Sequence, residues 1–246
     1  MTHITRNKQN ALLSAVTRII ITNKRLRYYG TGTYIHIHSH FFVITCAHIF
    51  HNHSPESLQI IFPGHGIFNA KVYALDRKSD LAILSFHEFH FRSHFPESKQ
   101  VIFENQKQTY SQKIFPFSAY QNFSQKKFHD IFLFTKKIKR FPSCIPLGIT
   151  TPYVGEKLFY ACYGETGKYQ LKSGHLLGFC TTEAHSPAET LVVTGNAKMG
   201  DSGGPIMNAR GELIGVLWGT DMNTVCGTYI GRIQQFIYSA LNETTF

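Results

Sequence analysis

The sequence contains few cysteines, no long apolar segment and few acidic residues. Its five cysteines are an odd number and include no C-x-x-C pair, which argues against a complete disulfide framework or a zinc ribbon and predicts reduced thiols. Residues 11–22 are the best candidate for an export signal, but Arg18 interrupts them and the stretch is too short to cross a bilayer. We expect no signal peptide and no transmembrane segment. The location is then cytoplasmic, or export follows a signal-peptide-independent route.

The scarcity of acidic residues makes the chain basic. Fifteen Asp and Glu stand against 25 Lys and Arg, a formal net charge of +10 with neutral histidines, which favours acidic partners. Residues 99–140 hold nine basic residues, only Glu104 and Asp130 as acids, and many interleaved aromatic residues. This basic insert predicts either a solvated loop or a surface that docks an acidic protein or an anionic membrane. We expect no specific nucleic acid.

Short apolar or alternating runs, separated by Gly, Pro, Asn and Asp, make up most of the remaining chain. Hydrophobic residues account for 43% of the sequence, enough to fill a core. The spacing predicts an all-β protein in two six-stranded halves, joined by a linker at about 142–152. Residues 233–241 have helical spacing and predict a C-terminal helix. The predicted strand segments are 18–22, 32–37, 41–45, 58–62, 70–75, 81–86, 157–162, 169–171, 175–180, 191–194, 205–207, 213–218 and 228–230.

The segment GDSGGP at 200–205 is the most specific motif. A serine hydroxyl needs a base to accept its proton, and its attack on a carbonyl creates an oxyanion that fixed N–H donors must stabilise. Glycines on both sides of Ser202 let the backbone turn tightly and aim the N–H groups of Gly200 and Ser202 at one point. The segment predicts a nucleophilic serine with an oxyanion hole, and a glycine-rich β-turn is the alternative.

The base for such a serine is expected to be a histidine on a different loop. His48 ends the segment TCAH, directly after an apolar strand at 41–44. The histidines around it alternate with apolar residues or lie in a turn, which is typical of solvated strand faces and loops. Because their spacing does not match a set of metal ligands, we expect no metal, and we predict His48 as the general base.

The third group must be a shielded carboxylate that holds the imidazole in one tautomer. Asp80 directly precedes an apolar strand at 81–84, and Asp130 has a similar setting before 131–134. Either aspartate is also an ordinary residue for the start of a strand. These local settings leave both candidates open.

The three segments, in the order His, Asp, Ser, resemble the trypsin-like serine peptidases, and most closely their HtrA-like bacterial branch without a PDZ domain. The resemblance is continuous from residue 66 into Asp80, whereas Asp130 would require a long insertion within the first barrel, so it favours Asp80. It covers most of the chain through the segments 30–33, 45–48, 66–84, 145–148, 154–156, 200–205 and 210–215.

This resemblance implies a chymotrypsin-like fold of two perpendicular six-stranded Greek-key β-barrels with a short C-terminal helix. It implies a catalytic triad of His48, Asp80 and Ser202 in the cleft, the N–H groups of Gly200 and Ser202 as the oxyanion hole, and no cofactor. Because Asn196 lies six residues before Ser202, the resemblance also places it at the base of the P1-binding pocket.

The remaining residues predicted around the P1 pocket are Trp218, Gly219 and Gly227, with the two glycines leaving its walls open. The uncharged base argues against a preference for Lys or Arg and favours a neutral, bulky P1 residue. The first domain is predicted at 1–141, with the basic insert inside it at about 87–140, and the second at 142–246.

Two functions from different classes are compatible with these features. The first is a serine endopeptidase that hydrolyses protein or peptide substrates through an acyl-enzyme on Ser202. The second is a catalytically silent binding protein on a protease scaffold, which uses the basic insert to dock an acidic partner, because a fold does not guarantee an activity. An intracellular regulator or an exported bacterial effector would suit such a small protease.

Overall fold

The computed structural model describes residues 12–24, 26–37, 40–50, 55–86, 142–180 and 190–242. Strands β1 to β6 belong to the first half, β7 to β12 to the second, and helix α1 ends the described chain. The bounds are β1 Val16–Asn23, β2 Leu26–Ile37, β3 His40–Thr45, β4 Ser57–Phe62, β5 Gly66–Asp76, β6 Leu81–Phe86, β7 Lys157–Cys162, β8 Gln170–Cys180, β9 Thr190–Thr194, β10 Pro205–Met207, β11 Leu213–Asp221, β12 Thr224–Tyr229 and α1 Ile230–Asn242.

Each set of six strands closes into an antiparallel barrel. The order in the first barrel is β1-β2-β3-β6-β5-β4, and β4 pairs back with β1, with Ile61 opposite Arg18. The order in the second is β7-β8-β9-β12-β11-β10, and β10 pairs back with β7, with Ile206 opposite Tyr160. Counted from the first strand of each barrel, the two orders are identical. The predicted all-β architecture of two six-stranded barrels is confirmed.

Several observed strands are longer than predicted, as in β2, which begins at Leu26 instead of residue 32, and β5, which begins at Gly66 instead of residue 70. Two further predictions differ in other ways. The runs at 169–171 and 175–180 form one strand, β8. Gly174 interrupts the apolar pattern there but lies within the strand, opposite Leu158 of β7. Glycine is needed at this position because an added Cβ would strike the Thr194 carbonyl on β9. β12 begins at Thr224 instead of residue 228, because its pairing with β11 extends to the hairpin where Thr224 lies opposite Asp221.

The C-terminal helix was predicted at the correct place but too short. Helix α1 begins at Ile230, which the sequence pattern had assigned to a strand, and it buries Ile230, Ile233 and Ile237. These side chains are spaced by three and four residues and so form one face of the helix. Because β12 ends at Tyr229 and α1 begins at Ile230, the strand continues directly into the helix. None of the described residues forms a helix long and apolar enough to span a membrane.

The first barrel is filled by residues that alternate along its strands. In β4, Leu58, Ile60 and Phe62 are buried while the residues between them are half-buried. The Phe62 ring meets Tyr34 edge-on, with centroids 5.1 Å apart. Full burial of such an aromatic side chain stabilises the fold by about 1.5–3 kcal/mol. In β6 four consecutive residues, Leu81 to Leu84, are buried, as expected for a strand covered on both faces.

Buried threonines of β2 join the two barrels at the segment around Ser202. The Thr31 N–H donates to the Ser202 carbonyl at 2.8 Å, and the Thr31 hydroxyl donates to the Gly200 carbonyl at 2.8 Å. The Thr33 hydroxyl donates to the Gly203 carbonyl at 3.1 Å. A strand of the first barrel therefore holds the glycine-rich loop of the second.

Candidate active site

His48, Asp80 and Ser202 meet between the barrels. The Nδ1 atom of His48 lies 2.7 Å from Asp80 Oδ2, and its Nε2 atom lies 3.0 Å from Ser202 Oγ. The backbone N–H of His48 donates to Asp80 Oδ1 at 2.8 Å, so both carboxylate oxygens accept hydrogen bonds from the same histidine. The Asp80 side chain is 12% exposed and that of His48 is 46% exposed. The carboxylate is thus shielded, while the imidazole is accessible from the cleft.

A tight turn before β6 presents Asp80. Asp76 Oδ1 accepts the backbone N–H groups of Lys78 and Ser79 at 2.9 and 3.2 Å. Asp80 has a φ of 50°, in the left-handed region that Asp and Asn tolerate better than most L residues. The Ala47 N–H donates to the Asp80 carbonyl at 3.2 Å. The turn and the segment carrying His48 are therefore bonded directly to each other.

The second barrel and helix α1 also contact the turn that presents Asp80. The Thr228 hydroxyl donates to the Ser79 carbonyl at 3.0 Å. The guanidinium of Arg232 donates to Ser79 Oγ, with Nη2 at 2.6 Å, and lies 3.8 Å from Asp76 Oδ2. These contacts hold the strained turn at both its backbone and its side chains.

The loop that carries Ser202 needs glycine at position 200. Gly200 has a φ of 87°, and an added Cβ would lie 2.6 Å from the Gly164 carbonyl carbon and 2.7 Å from the Glu165 nitrogen. Gly203, on the other side of Ser202, also has a left-handed φ of 91°. Within the described parts of the chain, the N–H groups of Gly200 and Ser202 have no hydrogen-bond acceptor. Both donors are therefore available to a ligand.

A buried thiol lies behind the carboxylate. Cys46 donates a hydrogen bond to the Leu217 carbonyl, with Sγ 3.0 Å from the oxygen. Burial, and after it the charge of Asp80, raises the pKa of the Cys46 thiol well above its ordinary value. The thiol therefore stays neutral beside Asp80. Leu217 itself is buried in the second barrel's core, so at this position only its backbone approaches the site.

Cys46 forms a possible set of metal ligands together with His48 and Asp80. Ligand atoms of Cys46, His48 and Asp80 lie within 4.8 Å of one another. A metal would need the thiolate form of Cys46 and a free lone pair on the imidazole. Burial disfavours the thiolate, and the His48 Nδ1 atom is engaged with Asp80 at 2.7 Å. The chemistry of the donors fits a hydrogen-bonded chain better than a metal site.

The residues predicted around the P1 pocket differ from one another in what surrounds them. Asn196 is exposed, and its carbonyl oxygen accepts a hydrogen bond from the Lys172 ammonium, with Nζ 3.3 Å away. An added Cβ on Gly219 would meet nothing within 4 Å, so this glycine borders open space. At Gly227 an added Cβ would lie 2.5 Å from Ile206 Cδ1, so this glycine makes room for barrel packing. Its place in a pocket wall stays a prediction.

An open depression of about 350 Å³ lies next to the imidazole. Trp218 forms one side of it, so this residue is placed beside His48. Its indole Nε1 is buried and has no hydrogen-bond partner among the described residues. The residues lining the depression are Ala47, His48, Arg77, Asp80 and Trp218.

Two predictions fall outside the described residues. Asp130, the alternative acid, and the basic insert at 99–140, the predicted docking surface, both lie between residues 86 and 142. The predicted end of the first domain, at residue 141, lies there as well. All five cysteines are within the described ranges, and all five are unpaired, in agreement with the predicted reduced thiols.

Sequence reasoning missed the residues that support the site from a distance. Thr31 and Thr33 were noticed only as part of a resembling segment, and Thr228, Arg232 and Lys172 were not singled out. The available signal was a hydroxyl residue within a strand, as at Thr31 and Thr228, because such a side chain needs a hydrogen-bond partner once it is buried. The partner's identity was not readable, since Thr31 and Gly200 are 169 residues apart.

Comparisons with known proteins agree with the architecture. The sequence matches no protein-family model and no curated protein. The structure is similar to the active form of Rv3671c protease from M. tuberculosis, with a TM-score of 0.63 and 16% identity over 93% of this chain and 81% of that one. An inactive form of the same protease gives a TM-score of 0.62 and 16% identity, covering 94% and 90% of the two chains.

A second similar structure is the HtrA-type protease AlgW with a tripeptide. It gives a TM-score of 0.63 and 13% identity over 94% of this chain and 62% of that one. At such low identity, structural similarity establishes a fold, whereas activity depends on the site. The chain therefore has the two-barrel fold of the trypsin-like serine proteases.

Proposed function

We propose that this chain is a serine endopeptidase that uses His48, Asp80 and Ser202 as its catalytic triad. The observation that carries the proposal is the continuous hydrogen-bonded chain, 2.7 Å from Asp80 to His48 and 3.0 Å from His48 to Ser202. These distances lie within the range for a nucleophile, its base and the group that orients the base. The protease activity of the structural neighbours supports the same class of reaction.

The first chemical step forms the acyl-enzyme. Asp80 accepts the Nδ1–H proton of His48 in a hydrogen bond, which leaves the Nε2 lone pair directed at the Ser202 hydroxyl. Nε2 takes the hydroxyl proton while Oγ bonds to the substrate's carbonyl carbon. The N–H groups of Gly200 and Ser202 stabilise the resulting oxyanion. Collapse breaks the peptide bond, and the imidazolium gives its proton to the departing amine.

Water then completes the cycle. A water molecule transfers a proton to His48 Nε2 as its oxygen bonds to the acyl carbon, and the second tetrahedral intermediate uses the same two N–H donors. Collapse releases the carboxylic acid and returns the proton to Ser202 Oγ. The 46% exposure of the His48 side chain leaves room for both the peptide and the water to approach.

Labelling with a fluorophosphonate tests this proposal. An activated serine attacks the phosphorus and displaces fluoride, so we expect the folded protein to gain one phosphonyl group on the peptide that contains Ser202. The Ser173→Ala variant, which changes an exposed serine on β8, should label normally. Absence of labelling in the folded protein would instead favour the catalytically silent binding protein that docks an acidic partner.

We further propose that the enzyme prefers a neutral P1 residue. Asn196 supplies no negative charge at the proposed base of the pocket, and Gly219, the proposed wall, borders open space. In a series of peptide p-nitroanilides, Leu or Phe at P1 should exceed Lys in kcat/KM by at least about 10-fold. Asn196→Asp should move the preference toward Lys. A native preference for Lys, or no response in Asn196→Asp, would contradict this assignment.

A further inference from the structure

We propose that Lys172 is a positioning residue for the oxyanion-hole loop, which it holds through both Asp201 and Asn196. This inference rests on the proposed function, because it concerns the same loop. Lys172 lies on β8, outside the loop, and touches none of the atoms proposed to react. Lys172 would affect catalysis indirectly, through its ion pair with Asp201, the carboxylate next to Ser202.

Asp201 precedes Ser202 directly and is almost completely shielded. Its side chain is 3% exposed, and its Oδ2 atom accepts the Lys198 backbone N–H at 2.9 Å. The Asp201 N–H donates to the Lys198 carbonyl at 3.0 Å. A buried carboxylate is costly unless it is paired and hydrogen-bonded. The conformation of this loop therefore depends on what accompanies the Asp201 charge.

Lys172 supplies the opposite charge and reaches both ends of the loop. Its Nζ atom lies 3.4 Å from Asp201 Oδ2 and 3.3 Å from the Asn196 carbonyl oxygen. Among the described residues, it is the cationic side chain that forms an ion pair with Asp201. One ammonium group thus links the start of the loop to the residue that precedes Ser202.

The strand that carries Lys172 is paired within the barrel wall, which gives the loop an anchor. Lys172 pairs directly with Tyr160 of β7 in the barrel wall, and its Nζ atom lies 5.9 Å from the centre of the Tyr160 ring. The Tyr160 hydroxyl also donates to the Asn196 carbonyl, at 3.4 Å. A loop bonded to a barrel strand at several points keeps its geometry better than a loop bonded only to itself.

Another neighbour of Asp201 is the Cys162 thiol, which stays neutral. Burial, and then the charge and hydrogen bonding of Asp201, raise the pKa of Cys162 to about 12, although Lys172 opposes this. A neutral thiol does not compensate the charge of Asp201. Loss of the Lys172 ammonium would leave the carboxylate buried without a cation, and the loop would shift to rehydrate it.

Such a shift would move the two proposed oxyanion donors, because Gly200 and Ser202 flank Asp201. A misplacement of about 1 Å costs about 10²-fold in rate. We therefore expect Lys172→Met to lower kcat by about 10²-fold with less than about a 3-fold change in KM, since the loss falls mainly on the transition state. Lys172→Arg, which retains the charge, should recover most of the rate.

The matched control is Lys157→Met, which changes a lysine on the neighbouring strand β7 whose Nζ lies over the Phe159 ring. It should leave kcat and KM unchanged. Equal kcat values for Lys172→Met and Lys157→Met, or failure of Lys172→Arg to recover the rate, would overturn the positioning role. A substitution that merely destabilised the folded protein would lower the rate in Lys172→Arg as well as in Lys172→Met, so recovery in Lys172→Arg alone supports the role of the charge.

Hydrogen exchange monitored by mass spectrometry supplies a readout that does not depend on activity. Exchange in peptides covering 196–203 should rise in Lys172→Met and stay native in Lys157→Met. If the native protein is not labelled by fluorophosphonate but this exchange still rises, the proposed function fails while the positioning role stands. If labelling is normal and exchange does not rise, only the positioning role fails. Should Lys172→Met not fold, Asp201→Asn removes the other charge of the pair, and native exchange and kcat in that variant would overturn the inference.

Discussion

Replacement of Ser202 by alanine is expected to lower kcat by about 10⁶-fold, since the nucleophile and its base act as one unit. The Ser202 hydroxyl lies 3.0 Å from His48 Nε2, and alanine removes only this oxygen. The two hydrogen bonds from Thr31 to the loop backbone, one from its N–H and one from its hydroxyl, remain by contrast. The folded structure should therefore survive, which thermal unfolding of the variant would verify. The rate is measured with a peptide substrate under saturating conditions.

The matched variants separate chemistry from binding. His48→Ala should cost about as much as Ser202→Ala, and the double variant should lose little more, because each single change already disables the unit. Ser173→Ala should have the native rate. Residual activity within about 10-fold of native in Ser202→Ala would rule out Ser202 as the nucleophile.

Replacement of Asp80 by asparagine is expected to lower kcat by about 10⁴-fold. Asparagine tolerates the left-handed backbone at this position as well as aspartate does, so the turn before β6 should keep its shape. An amide in place of the carboxylate can present its NH₂ group to His48 Nδ1. The imidazole would then carry its proton on Nε2 and could no longer accept the Ser202 proton.

Asp130→Asn is the matched control, because Asp130 was the competing candidate in the sequence. We expect it to leave both kcat and the rate of fluorophosphonate labelling unchanged. The opposite pattern, with Asp130→Asn inactive and Asp80→Asn active, would move the acid to Asp130 and make the insert part of the catalytic machinery. Both variants are compared at equal folded fraction, measured by near-ultraviolet circular dichroism.

The strands show which features of the fold local sequence patterns can predict. Alternation in β4 and the apolar run of β6 were visible in the sequence because burial on one face or on two faces leaves a direct record in residue type. β8 was predicted in two pieces because Gly174 carries no hydrophobic signal, although the close approach of Thr194 requires glycine there. The shared order of the two barrels has no counterpart in any visible sequence repeat, since many sequences satisfy one topology.

The candidate site shows the same division. Local residue types predicted His48, Asp80 and Ser202 as candidates, because each stands next to a strand or a glycine-rich turn that suits its role. The resemblance placed Gly227 in a pocket wall, whereas the packing of Ile206 against it, a residue 21 positions away in the chain, became visible only in the structure. A glycine looks the same in sequence whether it opens a pocket or admits a neighbouring side chain.

The sequence by itself determined the all-β class, the approximate strands and the candidate residues for acyl transfer, because these depend on periodicity and side-chain chemistry. Only the tertiary structure decided which distant groups hold those residues in place. Thr31 reaches the Ser202 loop across the two barrels, Arg232 reaches the Asp80 turn from α1, and Lys172 reaches Asp201 from β8. Each of these contacts joins segments that are 29 to 169 residues apart. Such pairings result from barrel closure and barrel packing, which no local pattern records.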